Sequence, residues 1–228
     1  IFYTRSKTGE FAMTKKNLDI KNIPGGKDIL NILEKPFLHL INGKLVDSVE
    51  HFDVLNPADN KVLAKAPIAS GSRVEEAVSA AKLAFKSWRL DAGYRKSCIR
   101  LCVDRLTAHI DQIALLLTLE QGKPLVQALG ETKSAIMKIN NCLEEHVPVD
   151  TFETKDKITH VFRHPMGVVA GIAPWNFPVS IGAAKMFRPL VLGNTVVMKP
   201  ASVTPLSSLY MAELISDILP PGVLNVIA

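Results

Sequence analysis

Two polar side chains each follow directly on an apolar run, and their types suit chemistry at a carbonyl group or a sugar. Asn176 lies between Pro174 and Pro178, and Lys199 closes a second apolar run. A side-chain amide can donate a hydrogen bond to an oxygen that becomes negative during a reaction, and an ammonium can donate to hydroxyls or to an anion. Plainer interpretations exist: an Asn before a helix can cap it, and a lysine at a strand end is usually solvated.

A single strand–helix–strand unit would bring Asn176 and Lys199 to one place. Its predicted elements are a buried strand, a helix, a turn and a second strand, at 167–173, 179–192, 193–194 and 195–198. Parallel strands joined by such a crossover end at the same edge of the sheet, where open α/β sheets bind their ligands. The predicted fold class is therefore α/β.

Four sequence blocks in this region resemble the aldehyde dehydrogenase superfamily. They are PWNFP, GNTVVMKPA, TPLSSLYMAELI and PPGVLNVI, and they occur in the family's order and spacing. The resemblance starts at about residue 40, is densest over 164–227, and includes TLEQGKP at 118–124. It implies the amino-terminal half of the aldehyde dehydrogenase fold. That half is an incomplete Rossmann-like parallel sheet, preceded by an N-terminal region of strands and helices and by an oligomerisation hairpin.

The resemblance also implies roles for residues of these blocks. Asn176 would be catalytic, as the donor to the oxyanion that forms when an aldehyde is oxidised. Lys199 would bond the ribose hydroxyls in the adenosine half of a nicotinamide cofactor. Ala173, Pro174 and Trp175 would pass beside that cofactor, with Trp175 near its ribose, although a place in the core is the plainer interpretation of a tryptophan.

Two departures from the family bear on cofactor and substrate. Many relatives that prefer NAD carry Glu three residues after the lysine, where it holds both ribose hydroxyls and repels a 2′-phosphate; this chain has Ser202. Serine removes the repulsion and can donate to the phosphate, which predicts binding of NADP, alone or beside NAD. Relatives that act on succinic semialdehyde have Arg where this chain has Ala184. We therefore expect uncharged aldehydes to be better substrates than succinic semialdehyde.

The family's nucleophilic Cys, general-base Glu and Gly-rich turn lie in blocks downstream of residue 227. None of the three cysteines of this chain falls in a matching block. We therefore expect an NAD(P)-dependent aldehyde dehydrogenase that works through a thioester on a Cys outside this chain. The chain itself is expected to be an inactive fragment that ends on a strand of a part-built sheet, with a parallel edge left open. The alternative is a truncated, non-catalytic homologue that serves as an interaction or structural subunit.

The chain divides into four predicted segments. The first is an arm at 1–36, and its first 12 residues look like foreign sequence. The strands and helices of a cofactor domain follow at 37–145, then a β-hairpin at 146–163 and the first part of a Rossmann-like nucleotide-binding domain at 164–228. An isolated two-stranded ribbon is marginally stable and tends to join another sheet edge. In the resembling family this hairpin mediates subunit pairing, which implies a homo-oligomer. The family's catalytic domain is absent from these segments.

Composition excludes several other classes of protein. The net charge of +5 comes from Lys and Arg spread along the chain, without the basic stripe of a nucleic-acid-binding surface. Cys98, Cys102 and Cys142 have no metal-ligand spacing and suit a reducing compartment. No run reaches the ~18 apolar residues of a membrane span, and no secretory signal pattern is found. We expect a cytoplasmic protein whose partner is an aldehyde, with no metal, nucleic acid or membrane.

Local turn chemistry predicts several element boundaries. Asn42-Gly43 favours a two-residue hairpin turn, and Asn60 accepts left-handed geometry. The segment 70–72 (Ser-Gly-Ser) is predicted to cap a helix, with Ser72 and Glu75 at the spacing of a capping box. Helical periodicity follows, with Leu101 among the inward-facing side chains. The helices are predicted at 74–88, 92–110, 111–121 and 126–146, and the strands of the ribbon at 146–153 and 158–163.

Overall fold

The computed structural model describes residues 2–5, 11–14 and 26–228, which contain both helices and strands. The strands are β1 (Phe2–Arg5), β2 (Phe11–Thr14), β3 (His39–Ile41), β4 (Lys44–Val46), β5 (His51–Asn56), β6 (Lys61–Pro67), β7 (Asp150–Thr154), β8 (Lys157–Val161), β9 (Val168–Ile172), β10 (Thr195–Lys199) and β11 (Leu224–Val226). The helices are α1 (Gly26–Leu33), α2 (Gly71–Trp88), α3 (Ala92–Thr107), α4 (Ile110–Gln121), α5 (Leu125–Cys142), α6 (Pro178–Val191) and α7 (Leu206–Leu214). No helix among these residues is long and apolar enough to cross a membrane.

A five-stranded mixed sheet in the order β4-β3-β11-β10-β9 organises the structure. Strand β10 runs parallel to both of its neighbours, β9 and β11, as the α/β prediction requires. The predicted open parallel edge is found at β9, the terminal strand of this sheet, which pairs only with β10 among the described strands. The last strand of the chain, β11, does not lie at an edge. It pairs antiparallel with β3 through Val226 and Leu40, because the hairpin β3–β4 from the amino-terminal part of the chain supplies the missing neighbour.

Alternate side chains of β10 face two different layers. Val196 and Met198 belong to the large core formed with the helices, whereas Val197 packs in a smaller cluster with Ala77 and Ala81 of α2. Successive strand residues point to opposite faces, so both faces of this central strand are covered by helices. Helix α6 contacts both β9 and β10, which makes it the crossover between the two strands.

Helices α3, α4 and α5 form a layer in which α3 and α5 pack on α6, whereas α4 packs on α5 and α7. Most of α4 is buried, and α5 lies along α6. Gly122 ends α4 in the left-handed conformation, with φ of 80°, and its amide N–H donates to the carbonyl of Thr118 at 2.9 Å. Gly122 therefore gives the sharp turn from which α5 starts three residues later.

Several turn predictions are confirmed. Asn42 and Gly43 have φ of 52° and 73° between β3 and β4, and Asn60 has φ of 57°. The ribbon is also present: β7 and β8 pair antiparallel from Asp150–Val161 to Thr154–Lys157. Part of the predicted arm, at 15–25, lies outside the described residues, while its first strands β1 and β2 pair antiparallel.

Three local predictions were wrong. The capping box of Ser72 and Glu75 does not form, because α2 already starts at Gly71; within the predicted cap, the hydroxyl of Ser70 accepts from the backbone N–H of Arg73 at 3.3 Å. Leu101 is 57% exposed, since the inward face of α3 turns past it to Cys102. Helix α5 ends at Cys142 and the ribbon starts at Asp150, because a proline at 148 disfavours helix before it and offers no N–H for a ladder.

Candidate functional site

The ends of β9 and β10 lie side by side, as the strand–helix–strand prediction requires. Lys199 is the register partner of Ile172, and the backbone N–H of Ala173 donates to the carbonyl of Lys199 at 3.0 Å. The loop 174–177 leaves this point and leads into α6. Asn176 and Lys199 therefore emerge at the same carboxyl edge of two adjacent parallel strands.

Asn176 does not cap the helix that follows it. The cap position of α6 is Phe177, which makes no side-chain cap hydrogen bond, and Pro178 occupies the first turn. The side chain of Asn176 is exposed, and its amide makes no hydrogen bond to any residue that the structure describes. The capping interpretation of Asn176 is therefore wrong, and its two N–H donors are available to a ligand.

A glutamate on a different helix satisfies the start of α6 instead. Glu131 of α5 accepts hydrogen bonds through Oε1 from the backbone N–H of Val179 at 3.1 Å and of Ser180 at 3.0 Å. The first N–H groups of a helix have no partner within the helix, and a carboxylate there also interacts favourably with the helix dipole. Glu131 thus fixes where α6 begins.

Lys123, in the turn between α4 and α5, ties Glu131 to the loop before α6. Its ammonium donates to Oε2 of Glu131 and, at 3.0 Å, to the main-chain carbonyl of Asn176. The same ammonium lies 4.1 Å from the ring centroid of Phe177, within the range of a cation–π contact. The Lys123 and Glu131 side chains are only 10% and 2% exposed, so this ion pair is shielded from water.

Glu120, near the end of α4, caps α7 in a similar way. Its carboxylate accepts from the backbone N–H of Leu206 at 2.7 Å and of Ser207 at 3.0 Å. Burial raises the pKa of Glu120 to about 7, although the hydrogen bonds from Ser207 and Leu206 oppose that rise. Helix α7 follows the loop that carries Ser202, so the segment after the second strand end is anchored from the same helical layer.

The residues predicted to contact a cofactor differ in exposure. Lys199, Ser202 and Trp175 are exposed, and Trp175, at 59%, is not the core residue that the plainer interpretation required. Pro174 is half-buried and the Ala173 side chain is 4% exposed, so Ala173 could offer a ligand little beyond its main chain. The ammonium of Lys199 donates to the carbonyl of Pro200 at 3.2 Å, and no carboxylate of the described residues pairs with it.

The charged residues Lys123, Glu131 and Glu120 were missed, because the helices that carry them were interpreted as scaffold. A signal was available in the sequence. The block TLEQGKP contains two of the three, and Glu120 and Glu131 fall on the buried faces of their helices. Charged residues are seldom fully buried unless they are paired, so a carboxylate at such a position indicates a specific partner.

Comparison with known proteins gives one consistent family. The family model described as "Aldehyde dehydrogenase family" matches residues 45–228. The chain is 38% identical to the mitochondrial succinate-semialdehyde dehydrogenase of Arabidopsis thaliana and 40% identical to the succinate-semialdehyde dehydrogenase [NADP(+)] GabD of Escherichia coli K12, over 82% of its own length in both cases. It covers 37% and 41% of those proteins, or about two fifths of their length.

Solved structures show the same likeness. The crystal structure of HpcC from Thermus thermophilus superposes with a TM-score of 0.84 at 32% sequence identity. The superposition covers 88% of this chain and 41% of that one. The α/β architecture described above is therefore shared with a solved protein over most of the chain.

Proposed function

This chain belongs to the aldehyde dehydrogenase family, and from that premise we propose that it supplies two parts of an enzyme that oxidises an aldehyde to the carboxylic acid with NAD(P)+. The parts are the oxyanion donor, Asn176, and the site for the adenosine ribose of the cofactor, at Lys199. The observation that supports the proposal best is the pairing of the two strand ends, with the N–H of Ala173 on the carbonyl of Lys199 at 3.0 Å.

The proposed role of Asn176 follows from its exposed and unbonded side-chain amide. An attack on an aldehyde carbonyl makes the carbonyl oxygen negative, and a fixed N–H donor stabilises that oxygen more than it stabilises the starting carbonyl. Loss of one such donor costs about 3–4 kcal/mol where it has been measured. Oxidation to the acid needs, in addition, a nucleophile and a base that activates water.

The nucleophile does not come from this chain in our proposal. Cys98 and Cys102 are buried on α3, and burial raises the pKa of Cys102 to about 12. The pKa of Cys142 is also raised, first by burial and then by the charge of Glu145. A thiol must ionise to become a good nucleophile, so we expect no dehydrogenase activity from the chain alone.

The groups at the carboxyl edge fit the adenosine end of a nicotinamide cofactor. The ammonium of Lys199 is exposed and pairs with no carboxylate of the residues that the structure describes, which suits ribose hydroxyls or a phosphate. The exposed indole of Trp175 and the hydroxyl of Ser202 lie on the two segments that leave the same edge. When bound, the cofactor accepts the hydride from the substrate. We propose that Ser202 permits a 2′-phosphate, and thus NADP, because it brings no negative charge. The name of the Escherichia coli relative, succinate-semialdehyde dehydrogenase [NADP(+)] GabD, agrees with this preference.

Calorimetric titration of the chain with NADP+ and with NAD+ tests the cofactor site. We expect Lys199→Met to weaken both by about tenfold, since a hydrogen bond from a charged group is worth ~1.5 kcal/mol. Ser202→Glu should weaken NADP+ at least tenfold and leave NAD+ unchanged or tighter. Lys61→Met, on the exposed strand β6, is the matched control. Equal affinities in wild type and Lys199→Met, or no binding by wild type, would refute the assignment.

We also propose that residues 146–163 join this chain to a second copy. Strand β8 is exposed along its whole length, and Phe152, Ile158 and Phe162 are each about 60% exposed. A lone ribbon with such side chains gains from pairing with another sheet edge. Sedimentation velocity should give a dimer or larger for wild type and a shift toward monomer for Ile158→Lys. A wild type that stays monomeric at ~100 μM would sink the proposal, since standard interfaces bind more tightly.

The second candidate function is a non-catalytic subunit that docks through the same ribbon. The exposed ribbon favours it, together with the span of about two fifths of the matched relatives. Cofactor binding separates the two functions, because a purely structural subunit need not bind NADP+.

In either case we propose one cofactor domain built from 37–145 and 164–228, since β3 and β4 share the sheet with β9–β11.

A further inference from the structure

The loop that carries Asn176 has few contacts of its own to hold it. Trp175 and Phe177 are 59% and 49% exposed, and the Asn176 side chain makes no hydrogen bond to a described residue. A donor that stabilises a transition state must stay within about 0.5 Å of its productive position. The main chain of this exposed loop therefore has to be fixed from elsewhere in the fold.

Lys123 and Glu131 both contact the main chain that directly follows the Asn176 side chain. Lys123 holds the carbonyl of Asn176 itself at 3.0 Å. Glu131 holds the N–H groups at 179 and 180 at 3.1 and 3.0 Å. The ion pair between Lys123 and Glu131 joins the two anchors into one unit, so the main chain is held from the carbonyl of Asn176 to the N–H of residue 180.

Burial of this ion pair argues for a geometric role. Only 10% and 2% of the two side chains are exposed, and a buried ion pair is often no more stabilising than apolar side chains of the same volume. Apolar residues could fill this space, but they could not bind a carbonyl oxygen and two amide N–H groups at once. The charges thus supply something that packing alone does not, which is a fixed position for three main-chain groups.

We propose that Lys123 and Glu131 are positioning residues for Asn176: together they hold the loop 174–177 so that the Asn176 amide points at the reacting oxygen. This inference rests on the proposed function of Asn176 as the oxyanion donor. Neither residue would contact the substrate. Their effect on the reaction would pass entirely through the position of the Asn176 peptide.

The test uses the whole chain with 15N-labelled asparagine and measures backbone order by NMR relaxation. Asn176→Asp identifies the Asn176 signal, and Asn225 is the internal reference, because its side chain is bonded to the carbonyl of Gly222 at 2.9 Å in the central sheet. In wild type we expect an order parameter of about 0.85 at both sites. In Lys123→Met we expect Asn176 to fall below about 0.6 and Asn225 to stay at about 0.85.

Matched variants separate positioning from stability. Lys133→Met changes an exposed lysine on the same helix as Glu131 and should leave both signals unchanged. Lys123→Arg keeps a donor and should restore most of the Asn176 order. If Lys123→Met fails to fold, the double variant Lys123→Met/Glu131→Gln removes both charges and keeps an acceptor for α6, and the same fall at Asn176 alone is expected.

Two results would overturn the inference. One is an Asn176 signal that stays as ordered in Lys123→Met and the double variant as in wild type. The other is equal loss of order at Asn176 and Asn225 in every variant, which would mean that the pair stabilises the whole fold. The measurement contains no cofactor or aldehyde, so a failure to bind NADP+, which would refute the proposed function, leaves this readout intact.

Discussion

The carboxyl group of Glu120 should make the stability of this chain depend on pH with an unusual sign. Its pKa is raised from 4.5 to about 7, first of all because the group is buried. Between these two values the folded chain keeps a proton that the unfolded chain releases. Stability contributed by such a group is present below pH 4.5 and is lost as pH rises toward 7. Most acidic residues in folded proteins act in the opposite sense.

The size of the effect follows from the two pKa values. Each unit of difference corresponds to ~1.4 kcal/mol, so the free energy of unfolding should fall by about 3 kcal/mol as pH rises through this window. His39 acts against it, because burial lowers its pKa and its contribution is lost as pH falls below 6.5. The contribution of Glu120 must therefore be measured as a difference between two proteins and not from one pH profile.

Glu120→Gln provides that difference. Glutamine keeps the volume and one acceptor oxygen, but its NH2 group faces one of the two helix N–H donors, so we expect a loss of ~1–3 kcal/mol at about pH 5. Urea unfolding followed by circular dichroism should be run on both proteins from about pH 5 to about pH 8. The difference in free energy of unfolding between wild type and Glu120→Gln should change by up to ~3 kcal/mol across this range. If this difference is the same at every pH, Glu120 does not titrate in the range studied and the reasoning is refuted.

Two further predictions concern the scaffold around the site. Gly122→Ala should lower the free energy of unfolding by ~1–2 kcal/mol, because φ is 80° and the new Cβ would lie 2.9 Å from Pro57. Gly130→Ala, in the middle of α5, should raise the free energy of unfolding by about 0.5–1 kcal/mol, because a Cβ there would meet no other atom within 4 Å. Urea midpoints of the two variants check these predictions, and a shift in the same direction for both would contradict the argument. Arg95→Met should cost about 1–3 kcal/mol by the same assay, since a buried guanidinium there donates to two main-chain carbonyls at 3.2 and 3.0 Å. An unchanged midpoint would count against it.

The parts of the fold that were predictable are those whose causes are local. Asn42-Gly43 forms its turn because both residues accept positive φ. The unit from β9 to β10 could be predicted from the sequence because a strand, a helix and a turn each have their own pattern in consecutive residues. Asn176 and Lys199 could be placed at one edge on that ground alone.

The parts that were missed depend on residues far apart in the chain. Glu131 binds main-chain amides 48 and 49 residues downstream, and Glu120 binds amides 86 and 87 residues downstream. Main-chain N–H groups carry no sequence signature, so no pattern in the sequence names them as partners. The pairing of β11 with β3 was missed for the same reason, because its two strands are separated by nearly the whole described chain.

The two glutamates explain why the turn Gly122–Pro124 matters to a site that lies elsewhere in the sequence. Helices α6 and α7 follow the two strands whose ends form the candidate site, and each starts on a carboxylate from the hairpin of α4 and α5. A change in that turn would move Glu131 directly and Glu120 through the end of α4. One helical hairpin therefore fixes the starts of the two helices that follow the candidate site, while the pairing of β9 with β10 fixes the strand ends themselves.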